Sequence, residues 1–116
     1  MDVDRIDHVN IRIPKKRVDE ALAFYRDFLG LEPLKLDRYR AGDRTSFGVK
    51  ISGQAMINIR PKENFESPDG MNYDHFCLVV DTDVETLRER CEEHGVEVIR
   101  QGTPWSPAGR APALYV

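Results

Sequence analysis

The sequence predicts an α+β domain assembled from two copies of one βαβββ unit. Strand-like alternation followed by helix-like periodicity occurs twice along the chain. Asp7-His8 and Gly30-Leu31-Glu32 of the first pass return as Asp74-His75 and Gly95-Val96-Glu97 of the second. The offsets, 67 residues for the histidines and 65 for the glycines, differ by only two. An internal repeat of near-constant period is the mark of one supersecondary design used more than once.

The first unit is expected over residues 1–61. Residues 5–13 alternate, with Val9, Ile11 and Ile13 on one face and His8, Asn10 and Arg12 on the other. Period two describes a strand buried on one side only, and Pro14 ends it because proline has no N–H for a ladder. Val18, Ala21, Leu22, Tyr25 and Leu29 then recur at helical spacing, so a helix is predicted over 18–29, closed by Gly30. Three strands are predicted next, over 32–39, 45–51 and 55–60. Ala41-Gly42-Asp43 and Ser52-Gly53 form the turns between them.

Two prolines, a glycine and several charges between 61 and 72 mark residues 62–72 as a linker. The second unit, 73–116, restarts the pattern. Phe76, Leu78 and Val80 alternate with His75, Cys77 and Val79. Thr82 and Glu85 have the spacing of a capping box, and Val84, Leu87 and Cys91 stripe a helix over 84–94 that Gly95 closes. A strand over 97–101, a proline-broken loop over 103–109 and a strand from 110 onward complete the reading. The counterpart of the 55–60 strand would fall past Val116, so the second unit is expected to lack its last strand.

Bulk properties narrow the function. A chain of 116 residues, 41% hydrophobic and 32% charged, suits one globular domain over 1–116. A net charge of −3 argues against nucleic acid, whose phosphates attract basic surfaces. No apolar run nears the ~20 residues of a membrane span, and MDVDRIDHV lacks the layout of a signal peptide. Cys77 and Cys91 are too few for a disulfide framework. A cytoplasmic protein acting on a small molecule is the expectation, with no nucleic-acid or membrane partner.

His8 and His75 occupy repeat-equivalent positions on polar strand faces. Neutral imidazoles are the commonest metal ligands, and two that symmetry brings together would make the start of a metal site. The alternative is that each is an ordinary polar-face residue. Arg12 and Arg60, on the same polar faces, are candidates for an anionic substrate or for ion pairs at a rim. Cys77 shares the face of His75, and Trp105 lies in the TPWSPAGR loop, where substrate contact and loop packing are both open.

The segments IDHVNIRIP, FYRDFLGLE, AMINIRP, YDHFCLVV, GVEVIRQGT and ALYV together resemble the vicinal-oxygen-chelate superfamily, the glyoxalase/bleomycin resistance protein/dioxygenase family. The likeness runs in order along essentially the whole chain, and FYRDFLGL is its most distinctive piece. It implies an open, U-shaped half-barrel with helices outside and a divalent metal (Fe, Mn or Zn) inside. Family ligands come from the first and fourth strands of each unit. Transferred to this chain, those positions are His8, Asn58 and His75, with the fourth beyond Val116. Asn58 departs from the four-ligand pattern, which has a carboxylate there, and fits better as a hydrogen-bonding residue that orients substrate or water. Asn10, Arg12, Arg60, Cys77 and Trp105 are the remaining candidates for the cavity.

What the resemblance implies is a divalent-metal-dependent enzyme working on a small oxygen-rich substrate as a lyase, isomerase, dioxygenase or thiol transferase. The alternative is a metal-free protein that binds small molecules or antibiotics, as bleomycin-resistance proteins do. Open sheet edges lead to the expectation of a homodimer.

Overall fold

Alternating apolar residues need a covering layer, and in the first part of the chain the helix provides it. The structure, a computed structural model, describes residues 1–67, 70 and 74–116. The chain divides into two compact units, Met1–Gly70 and Met71–Val116.

In the first unit β1 (His8–Pro14), β2 (Pro33–Leu34), β3 (Phe47–Ser52) and β4 (Ala55–Lys62) form one open sheet in the order β1-β4-β3-β2. β1 runs parallel to β4, and β3 is antiparallel to both β4 and β2. Val9 sits beside Ile57 and Ile11 beside Ile59, while Val49 and Phe47 face the same two isoleucines from β3. These side chains share one face. Leu22 of α1 (Val18–Leu22) closes over them, and Leu22, Phe47, Val49, Ile57 and Ile59 are each at most 1% exposed. Burying a side chain of this size is worth roughly 1.5–3 kcal/mol, so these five form the centre of the unit's core.

The predicted 18–29 helix is present but changes pitch. A 3₁₀ turn (Lys15–Arg17) leads into α1, which widens into a π-helical turn over Ala23–Phe28. Leu29 N–H accordingly donates to Phe24 O at 3.0 Å, five residues back. Gly30, at φ 71°, ends it as expected.

The 32–39 strand needs correction. Pairing stops after Leu34, because Lys35 takes a left-handed conformation (φ 60°) that leaves the extended path. A short helix, α2 (Leu36–Arg40), follows and brings Leu36 and Tyr39 onto the core. Two apolar residues three apart suit a helical turn, and burial of both decides against the strand. Gly42 (φ 83°) therefore ends α2 instead of turning a hairpin. Ser52-Gly53 does join β3 to β4, with a register shift between Lys50 and Ser52.

The second unit contains α3 (Val84–Glu93), β5 (Arg100–Gly102), β6 (Trp105–Ser106), β7 (Gly109–Arg110) and β8 (Ala113–Tyr115). The capping assignment shifts by one residue: Asp83 is the N-cap, accepting from Thr86 N–H at 3.0 Å and from its hydroxyl at 2.8 Å. With Asp83 as the cap, the amide served is that of Thr86, where a Thr82 cap would have served Glu85. Gly95 (φ 65°) closes the helix, and Val96 N–H returns to Cys91 O at 2.8 Å.

β5 and β8 pair antiparallel, Arg100 opposite Tyr115. The loop predicted over 103–109 contains a small hairpin, β6 with β7, in which Ser106 Oγ donates to Gly109 O at 3.0 Å. A second correction concerns 74–80. These residues form no strand, and Val79 is 98% exposed. Alternation prepares a segment for a ladder, but its amides still need a neighbouring strand to bond. The linker expected over 62–72 lies partly outside the described residues, and β4 occupies its first position. No helix among the described residues is long and apolar enough to cross a membrane. The architecture is mixed α+β around an open four-stranded sheet.

Candidate functional site

Parallel pairing of β1 with β4 places equivalent residues side by side on the sheet face that α1 does not cover. His8 adjoins Met56, Asn10 adjoins Asn58, and Arg12 adjoins Arg60. Gly48 and Lys50 of β3 continue the rows beyond Asn58 and Met56. The polar residues that alternation assigned to one face do share it.

Asn10 is the junction of this face. Its Oδ1 accepts from Asn58 Nδ2 at 2.5 Å and from Arg60 Nε at 3.2 Å. Asn58 is only 8% exposed, and an amide that far from water needs such a partner. Its amide thus orients Asn10, and Asn10 orients the Arg60 guanidinium. His8 stands one step along β1, with Met56 rather than Asn58 beside it.

His8 Nδ1 lies 2.9 Å from Asp7 Oδ2. In the second unit His75 Nδ1 lies 2.5 Å from Asp74 Oδ2. A protonated Nδ1 that donates to a carboxylate leaves Nε2 as the lone-pair nitrogen. The carboxylate also fixes the plane of the ring, as partners of metal-bound histidines do. The same contact holds the Asp7 carboxyl below the usual carboxylate range; the hydrogen bond from His8 is the main cause, and the charge of Arg5 adds to it. Both pairs are solvent-exposed. The repeated Asp-His dipeptide is the sequence signal of both partnerships.

Around His75 the ring meets Tyr115 edge-on, with centroids 6.0 Å apart, and Arg100 stacks on that tyrosine at 3.9 Å. Cys77 is exposed, and its thiol lies 3.8 Å from the Leu78 carbonyl. Trp105, in β6, is 71% exposed. Arg12 is exposed on β1.

Imidazoles backed by carboxylates suit a divalent ion as first ligands. Among the described residues no three His, Cys, Asp or Glu side chains converge into a metal-binding group. His8 belongs to the first unit and His75 to the second.

Two solved structures share the fold. One is a protein from the mobile metagenome of V. pseudocholerae, 18% identical, matching over 99% of this chain and 86% of its own with a TM-score of 0.72. The other is an integron cassette protein of V. cholerae, also 18% identical with a TM-score of 0.72, covering 99% of this chain and 87% of its own. A comparison with curated protein sequences gives no match. The family described as Glyoxalase/Bleomycin resistance protein/Dioxygenase superfamily matches residues 5–108. Over that length the match takes in the whole four-stranded sheet, both Asp-His pairs and α3, and the chain belongs to this superfamily.

Proposed function

We propose that this chain is a divalent-metal-dependent enzyme acting on a small, oxygen-rich substrate, with His8 and His75 as its histidine ligands. One observation supports the reading above others: both histidines have Nδ1 on the carboxylate of the preceding residue. Two repeat-equivalent rings fixed in the same tautomer present Nε2 as the donor atom. Asp7 and Asp74 are then positioning residues that hold the rings in place. A bound divalent ion would supply Lewis-acid stabilisation of neighbouring substrate oxygens. Asn58 and Asn10 orient polar groups on the adjoining face. The fold supports lyase, isomerase, dioxygenase and thiol-transfer chemistry alike, and the proposal extends to a homodimer, checked by light scattering at micromolar concentration.

The second reading is a metal-free small-molecule binder. Asn58 favours it, because an amide already bonded to Asn10 stands where the four-ligand members of the family have a carboxylate. Calorimetric titration with Mn, Fe and Zn separates the two. The metal reading expects saturable binding that His8→Ala and His75→Ala each abolish and that Asp7→Asn weakens about 10–100-fold. Binding that is absent, or indifferent to both histidines, selects the metal-free reading.

A further inference from the structure

At the end of the Asn-bearing face the arginines outnumber their counter-charges. Arg12 and Arg60 are register partners on neighbouring strands, and like charges placed directly opposite destabilise a sheet. Arg60 and Arg44 also line one cleft of about 340 Å³, completed by Gly42, Asp43, Thr45 and Ser46. Each guanidinium there is anchored by Nε alone, Arg60 on Asn10 Oδ1 at 3.2 Å and Arg44 on Ser46 O at 3.4 Å. Their terminal nitrogens make no hydrogen bond or ion pair among the described residues. The cleft's one carboxylate, Asp43, faces Arg38 at 3.9 Å. A chain of net charge −3 thus keeps a local excess of oriented, unneutralised guanidinium.

We propose that this cleft binds the oxyanion group, carboxylate or phosphate, of a small-molecule ligand. Arg44 and Arg60 grip it and Arg12 adds charge from the next strand. The terminal nitrogens of a guanidinium match two oxygens of such a group, and charge-assisted bonds of this kind are the strong ones. A volume near 340 Å³ lies at the small-ligand end of the usual range. Relief of the Arg12–Arg60 repulsion adds to the attraction. Asn10 matters because it fixes the Arg60 plane before the ligand arrives, which lowers the ordering cost of binding. The site lies within the first unit and does not depend on the metal reading.

The test is titration of the full chain with sodium phosphate and with sodium acetate, in the presence of chelator, against sodium chloride at matched ionic strength. Arginine Nε–Hε resonances in ¹H–¹⁵N spectra provide the readout. Phosphate or acetate should shift the Arg44 and Arg60 signals saturably, while chloride does not. Whichever anion binds more tightly identifies the oxyanion. Arg44→Gln and Arg60→Gln should each weaken binding roughly tenfold, and Asn10→Ala should weaken it severalfold with no change in charge. Asp43→Asn should tighten it, and Arg12→Gln should weaken it less than the cleft arginines. Thermal unfolding and the dispersion of the remaining resonances show that each variant is folded. Equal shifts with chloride, or an affinity unchanged by Arg44→Gln and Arg60→Gln, would overturn the proposal.

Discussion

In the first unit the alternating residues of β1 have β4 alongside them through seven consecutive register pairs. In the second, residues 74–80 carry the same alternation and have no ladder among the described residues. The apolar residues follow suit. Ile57 and Ile59 are fully buried under α1, whereas Val79 and Ile99 are 98% and 71% exposed. The difference shows that an amphipathic pattern is a requirement for a partner, not a structure in itself. Where β3 and β4 supply the partner, one core forms; in the second unit Cys91 is the one fully buried apolar side chain among the described residues.

Core substitutions test this contrast most severely. Phe47→Ala should destabilise by about 3–5 kcal/mol, as expected for a large aromatic deleted from a closed core. Val79→Ala should stay within about 0.5 kcal/mol, because its side chain loses little burial. Urea unfolding of both variants decides it, and comparable losses would break the comparison. Amide exchange gives the next largest effect. The β3 and β4 amides should exchange only through global opening, while those of residues 74–80 exchange near intrinsic rates.

The smallest effects are electrostatic, one in each unit. Asp7 and Asp83 are both held below the usual carboxylate range, Asp7 mainly by His8 and Asp83 mainly by the Thr86 amide. A depressed carboxyl stabilises the fold at pH above its unfolded value, and the contribution fades as pH falls through the folded one. Asp7→Asn and Asp83→Asn should therefore each flatten the acid side of the stability curve below about pH 4. Both groups are exposed, so the changes should be slight. Asp83→Asn keeps a capping side chain and should lose less at neutral pH than Asp83→Ala. Stability profiles from pH 2 to pH 7 measure both.

The first sheet was legible because alternation, turn residues and burial all agree there. β1, β3, β4 and the helix fell where period and glycine placed them. The 32–39 strand misled because Leu36 and Tyr39 fit either period, and a left-handed Lys35 leaves no trace in composition. The cap slipped by one residue because Thr82 and Asp83 are both good capping residues, and only geometry shows which of them starts the helix. The repeat singled out His8 and His75 as candidates but could not show which ring nitrogen their neighbours engage. Arg44 belongs to no periodic element, so only its proximity to Arg60 discloses it.

Parallel pairing of β1 with β4 also bears on how the chain folds. Asn10 and Asn58 are 48 residues apart, and closing so long a loop costs entropy before any contact repays it. The β3–β4 hairpin is local by comparison and can form early. β1 should therefore dock late, with its contacts mostly absent from the folding transition state. Val9→Ala should then speed unfolding and leave the folding rate nearly unchanged, while Val49→Ala slows folding. The Asn10–Asn58 bond and the paired arginines would be among the last contacts made, so a chain halted before β1 docks has most of a sheet but leaves Asn58 and Arg60 without their β1 neighbours.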